Sequence, residues 1–160
     1  MNEIDPRSVQ ERYAPHNACF GCGPSNEKGL RLRSFPSGGD GDELVCTWRA
    51  EVQHEAFPGM LSGGIVGSLL DCHSNWTAAC HLMRLRGLAS PPCTVTADFH
   101  VTLRRPTPTA GDIILRARVV SSEGDKVVVE ATLESHGKLT STCRGTFVAV
   151  REGHPAFHRW

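Results

Sequence analysis

An excess of either charge is missing from this chain. Lys and Arg number 17 together and Asp and Glu also 17, so the formal net charge at pH 7 is zero. Without a net field, neither nucleic acid nor an anionic membrane is an expected partner. No stretch approaches the ~18 apolar residues of a membrane-spanning helix. The opening MNEIDPRSVQERY carries acids and lacks the apolar centre of a secretory leader. These absences lead to the expectation of a soluble, cytoplasmic protein. Internal repeats and low-complexity tracts are also absent, and 160 residues suit one domain with a full core.

A disulfide framework is the next thing missing. Seven cysteines is an odd number, the chain is not small, and nothing marks export, so reduced thiols are expected. Cys46, Cys72, Cys80, Cys93 and Cys143 fall inside apolar or alternating runs, where cysteine acts as a small hydrophobe. The other two form a CxxC in HNACFGCGPSNEKGLRL, with His16 three residues before Cys19. HxxCxxC has usable zinc spacing, but a structural zinc site almost always takes four ligands, and no second CxxC or paired His is present. The redox alternative needs CxxC to open a helix, which Gly23-Pro24 disfavours. A packed knuckle without metal is expected at Cys19 and Cys22.

What is present is clear periodicity. IDPRSVQERY reads as a short helix with Asp5 placed to cap it and Pro6 at its first position, ending near Pro15. LRLRSF and ELVCTWRA read as a hairpin across PSGGDGD, followed by a loop, VQHEAFPGML. From Gly63 to about Leu85, Ile65, Leu69, Cys72, Trp76, Cys80 and Met83 follow helical spacing. Val66, Leu70, Ala78, Ala79 and Leu82 make other faces apolar too, so this helix should be buried and should stop around Gly87. VTADFHVTLRRP, IILRARVVSS, KVVVEATLES and LTSTCRGTFVAV then alternate with period two, separated by TPTAGD, EGD and HGK. The expected fold is α+β, an antiparallel sheet of about six strands wrapped round one long central helix.

Chemistry concentrates at FPGMLSGGIVGSLLD, residues 57–71. Helix-start N–H groups lack internal partners, and glycine lets a ligand approach them closely, so Gly63 and Gly64 suit a developing oxyanion. A tight turn alone would also use two glycines. Asp71 stands on the most apolar helix of the chain, where a carboxylate costs stability unless it is paired, hydrated or lining a cavity. It is either a nucleophile or general base, or a carboxylate bonded to His73, Ser74 or a neighbouring chain.

FPGMLSGGIVGSLLD, followed by TVTADFHVTLRRPTPTAGD and a final CRGTFVAV, resembles the hotdog-fold acyl-CoA thioesterases of the phenylacetyl-CoA thioesterase-like group. The resemblance runs from about Cys19 to Val150. It implies residues 1–18 as an N-terminal helix and arm, 19–150 as the hotdog domain, and 151–160 as a tail. Its most specific part is the Gly-Gly at the helix start with an acid eight positions after the first glycine, matched by Gly63 and Asp71.

By this resemblance, the N–H of Gly63 polarises a thioester carbonyl, Asp71 attacks or activates water, and Thr96 supports the attacking group. Ser62 is a further catalytic candidate, its hydroxyl suited to holding a water or the carbonyl, and Gly64, His54 and Phe57 are candidates for substrate binding. The group forms dimers, or dimers of dimers, whose sites join the glycine of one subunit to the acid of the other, and it uses no cofactor. The implied substrate is an acyl-CoA. Ser62 stands where the group usually has His, and Ala56 where some members have a polar residue, so a non-catalytic acyl-CoA or small-ligand binding protein is the alternative. The GDxNPxH-like motif of hotdog hydratases is absent. Phe57, Trp76 and Phe99 are expected in the core, and Arg84, Arg86, Arg104 and Arg105 are unassigned candidates for CoA phosphates.

Overall fold

The computed structural model describes residues 5–38 and 41–160. Ile4 of the expected N-terminal helix and Gly39–Asp40 of the expected turn lie outside them. The described elements are α1 (Val9–Tyr13), β1 (Phe35–Pro36), β2 (Glu43–Arg49), β3 (Glu55–Phe57), β4 (Met60–Leu61), α2 (Gly63–Leu85), β5 (Thr94–Leu103), β6 (Asp112–Glu123), β7 (Lys126–Ser135) and β8 (Lys138–Ala149).

Six of the strands form one antiparallel sheet in the order β1-β2-β6-β7-β8-β5, and β3 and β4 form a separate two-stranded ribbon. The expected α+β arrangement is the one found. Alternation along β6 and β7 turns Ile113, Leu115, Ala117, Val127, Val129, Ala131 and Leu133 inward. Leu69, Leu70, Trp76, Ala78, Ala79 and Leu82 of α2 are buried in the same core. Because the sheet curls round α2, the helix is buried on most sides, and its polar His73, Ser74, Asn75 and Thr77 are buried along with its apolar residues.

The end of α2 is set by Gly87, at φ 62°. Gly87 N–H donates to the Arg84 carbonyl at 3.1 Å and Leu88 N–H to the Met83 carbonyl at 2.9 Å. This paired arrangement satisfies the last carbonyls and needs a left-handed residue, which glycine adopts without strain.

Three local expectations are corrected. Helix α1 is capped by Ser8, whose hydroxyl accepts from Glu11 N–H at 3.3 Å while the Glu11 carboxylate accepts from Ser8 N–H at 2.9 Å. Asp5 instead pairs with Arg7 at 2.8 Å. LRLRSF is not a strand, since Arg31 sits at φ 52° and only Phe35–Pro36 pairs with β2. Leu30 and Leu32 are buried all the same, and the Leu30 carbonyl accepts from Trp48 Nε1 at 2.8 Å. The loop after β2 contains a 3-10 turn over Val52–His54 and the β3–β4 ribbon, which reverses at Pro58-Gly59 with Gly59 at φ 82°.

A buried polar chain fastens the N-terminal arm to α2. Gln10 Nε2 donates to Ser34 Oγ at 2.9 Å, and Ser34 N–H donates to Gln10 Oε1 at 2.8 Å. His73 Nε2 lies 3.0 Å from the Leu44 carbonyl and Nδ1 lies 2.8 Å from Ser34 Oγ. A carbonyl only accepts, so Nε2 carries the proton and Nδ1 accepts from the serine hydroxyl. Burial pulls the His73 pKa down to about 4, so the ring is neutral at pH 7. Ser34→Ala should strand two buried polar groups and lower the unfolding free energy by about 1–3 kcal/mol. Urea denaturation measures this, and a change below about 0.5 kcal/mol would mean that the chain contributes no more than a surface contact.

Candidate active site

Helix α2 and edge strand β5 run alongside each other. A Cβ added at Gly63 would lie 3.1 Å from Leu103 Cδ1, and one at Gly67 would lie 3.9 Å from the Phe99 ring. One further turn along, Thr96 Oγ1 donates to Asp71 Oδ1 at 2.6 Å. Residues 63, 67 and 71 recur every four positions and so share one helix face.

Thr96 reaches that face because β5 is not a regular strand. Strict alternation places Thr96 opposite Phe99 and Leu103. However, the pairing with β8 shifts between Thr96↔Phe147 and Asp98↔Thr146, leaving Ala97 as an extra residue. Such a bulge reverses the phase of the side chains. Thr96 on one side of it, and Phe99 and Leu103 on the other, therefore all face α2.

Asp71 is half-buried. Burial pushes its carboxyl above the usual carboxylate range, while the bond from Thr96 pulls the other way. The short hydroxyl contact is the partner that a carboxylate on an apolar helix needs. His73 and Ser74 are not that partner. His73 is committed to Ser34 and Leu44, and no bond joins the Ser74 hydroxyl to the carboxylate.

The other end of the face opens to solvent. Ser62 is the N-cap residue, but its hydroxyl makes no capping bond, so the first-turn N–H groups of the exposed Gly63 and Gly64 stay available. A cleft of about 390 Å³ lies against Gly63, walled by Phe57, Leu61, Val66, Leu103 and Thr107 and edged by Arg104 and Arg105. Ser62, Gly64 and His54 are not among its lining residues. His54 serves the loop: its Nδ1 accepts from Glu51 N–H at 2.9 Å, its carbonyl accepts from Ser62 N–H at 2.9 Å, and its ring packs 5.1 Å from Trp48.

Of the aromatic residues expected in the core, only Trp76 is there, stacked on Trp160 at 4.6 Å. Phe57 is 58% exposed at the cleft and Phe99 is 44% exposed on the edge strand. Arg84 is held by Asp42 at 2.6 Å and Arg86 by Asp125 at 2.7 Å, while Arg104 and Arg105 stand at the cleft. Leu103 and Thr107 were missed from sequence. Leu103 looked like one more inward residue of a strand, and Thr107 carried no signal at all.

Gly63 and Asp71 are eight residues apart on one helix, a rise of about 12 Å. A carbonyl carbon within reach of a carboxylate, with its oxygen about 3 Å from an N–H, needs the two groups about 6 Å apart. Within one chain they do not meet on one substrate.

No family model matches the chain. It is 21% identical over 149 residues to the Bos taurus acyl-coenzyme A thioesterase THEM4, covering 92% of this chain and 57% of that protein. The chain spans about half the length of the curated relatives it matches. Among solved structures, a thioesterase superfamily protein from Shewanella loihica superposes with TM-score 0.63 at 26% identity, covering 80% of this chain and 98% of the other. The Escherichia coli PaaI protein, from the phenylacetic acid degradation operon, gives TM-score 0.63 at 15% identity over 76% and 81% of the two chains. With its six-stranded antiparallel sheet on one long helix, the chain has the hotdog fold, shared with the Shewanella loihica thioesterase superfamily protein.

Proposed function

We propose that this chain hydrolyses an acyl-CoA thioester to the free acid and CoA, at a site completed by a second copy of itself. The observation that carries this reading is the α2–β5 stripe, where open N–H groups at Gly63 and a Thr96-held carboxylate at Asp71 share one face beside a free sheet edge. Strand β5 is hydrogen-bonded to β8 alone among the described strands, and Phe99 and Leu103 are exposed on it. An unpaired edge with apolar side chains invites a partner. Twofold pairing would set two stripes side by side in opposite directions, so that Gly63 of one copy approaches Asp71 of the other.

In that arrangement the acyl group enters the cleft at Gly63, and the thioester oxygen takes the helix-start N–H. Asp71 then either adds to the carbonyl carbon or removes a proton from an attacking water. As the tetrahedral intermediate collapses, the C–S bond breaks and CoA leaves as a thiolate that takes up a proton; where Asp71 has added, water then cleaves the mixed anhydride, releasing the free acid and the Asp71 carboxylate. Thr96 holds the carboxylate in place, and Arg104 and Arg105 supply cations at the mouth of the cleft. A second reading, binding of acyl-CoA without turnover, is favoured by one feature: Ser62 makes no capping bond and lies outside the cleft lining. Thermal stabilisation by acyl-CoA without thiol release would select it.

Asp71→Asn should lower kcat for acyl-CoA hydrolysis by roughly 10²- to 10⁴-fold, followed by thiol release. Unchanged turnover would remove Asp71 from the mechanism. Gly63→Pro separates the N–H from the helix, because proline is tolerated at the first helical position. It should lower kcat by roughly 10²- to 10³-fold, with a small drop in melting temperature as the exposed Leu103 side chain moves aside for the ring. Mixing equal amounts of the two variants, with subunit exchange, should restore about a quarter of wild-type activity, since half the dimers would then hold one intact site of two. No recovery after verified exchange would place both groups in the same chain's site. Thr96→Val should cost about 1.5–3 kcal/mol in denaturant unfolding, and Thr96→Ser should recover most of it. Equal stability of the two would show that the hydroxyl does not support Asp71.

A further inference from the structure

Cys72, expected as core or near-core filler, does pack against the hydrophobic core, and it also meets two other thiols. Its sulfur lies 3.8 Å from that of Cys19, and the sulfurs of Cys19, Cys22 and Cys72 all fall within 4.8 Å of one another. Two of these residues come from the N-terminal knuckle and the third from the middle of α2, so the fold itself assembles the set. His16 does not belong to it. The helix supplies the third sulfur instead, which spacing along the chain does not reveal.

Several features fit an ion here better than three packed thiols. Tetrahedral zinc binds sulfur at about 2.3 Å, which places two sulfurs on one ion about 3.8 Å apart. Trp76 Nε1 lies 3.3 Å from the Cys22 sulfur. N–H donors of this kind stabilise thiolate and orient it for metal. Arg33 donates to the Cys22 carbonyl at 3.4 Å, putting a cation beside the group.

The close approach is also built into the backbone. A Cβ at Gly21 would stand 2.3 Å from the Cys72 sulfur, and one at Gly23 would stand 2.4 Å from the Asn17 carbonyl oxygen and the Cys19 nitrogen. Both glycines of CFGCG are therefore required for the knuckle to fold and for the third sulfur to reach it.

We propose that Cys19, Cys22 and Cys72 form a three-thiolate site for one zinc ion, joining the N-terminal knuckle to α2 and leaving a fourth position to water. Each thiol gives up its proton to solvent as the ion binds, and nothing is oxidised or reduced. The site lies next to Asp71 in sequence but does not rest on the hydrolytic reading.

The test uses the full chain, reduced and stripped with a chelator, then titrated with Co(II) and afterwards with Zn(II). The expected result is one Co(II) per chain, with thiolate-to-cobalt charge transfer in the near ultraviolet and intense visible bands, both bleached by Zn(II). Cys22→Ser and Cys72→Ser should each weaken Co(II) binding by roughly 100-fold or more, the loss of a ligand exceeding that of a supporting contact. Cys93→Ser, outside the cluster, should bind like wild type. Should a variant fail to fold, protection of the cluster thiols from an aromatic disulfide reagent in Zn(II)-loaded wild type gives the same reading without substitution. Absence of charge transfer in the wild type overturns the proposal, as does equal loss in Cys93→Ser. A chain that takes up neither metal but forms a Cys19–Cys72 disulfide with oxidised glutathione overturns it in favour of a redox pair.

Discussion

A carboxylate on a helix that the sheet encloses must be satisfied locally, and the Thr96 hydroxyl, 2.6 Å from Asp71, satisfies it. Much of the local geometry around the candidate site follows from that need. The hydroxyl reaches the helix side only because the bulge at Ala97 reverses the phase of β5. The same reversal leaves Phe99 and Leu103 facing the helix beyond the bulge, over Gly67 and Gly63. A regular strand would point either the threonine or the two apolar side chains at α2, but not all three. The irregularity in β5 is therefore what lets one strand be polar at the acid and apolar at the cleft.

Periodic segments were legible in the sequence and irregular ones were not. Helix α2 begins at Gly63 and ends two residues before Gly87, as the apolar pattern and the glycine suggested, and β5 to β8 lie where the two-residue alternation placed them. These elements announce themselves because each buries a repeating face. LRLR also alternates, yet it is an irregular segment: Arg31 turns left-handed, and Leu30 and Leu32 are buried through the arm's own packing. Local alternation cannot distinguish a strand from a chain laid over a core. Asp5 was the expected cap for α1, and the reciprocal bonds of Ser8 with Glu11 take that place instead.

For the site, residue type was readable and relative placement was not. Gly63 and Asp71 stood out through composition, a pair of glycines at a helix mouth and an acid amid leucines. Thr96 was reached through family resemblance, since a phase-shifting bulge leaves no mark in period-two counting. His54 and His73 illustrate the converse. Each carried an imidazole near the right part of the chain, and each has its ring engaged in bonds that hold the structure together. Phe57 and Phe99 failed as core residues for a shared reason: one sits on a ribbon outside the main sheet and the other on the sheet's edge, where no further layer covers them.

The free edge of β5 and the 12 Å rise between Gly63 and Asp71 are two expressions of one economy. A helix face that carried both a donor and an acid within reach of one carbonyl would need them about one turn apart. Gly67 stands at that spacing here, and the acid lies a turn further on. Spacing the groups two turns apart moves the problem of convergence to the outside. On the outside, β5 pairs with β8 alone among the described strands, and small residues at 63 and 67 leave the helix thinly covered. In the proposed reading, a second copy would supply at each end of the stripe the group that this copy holds two turns away.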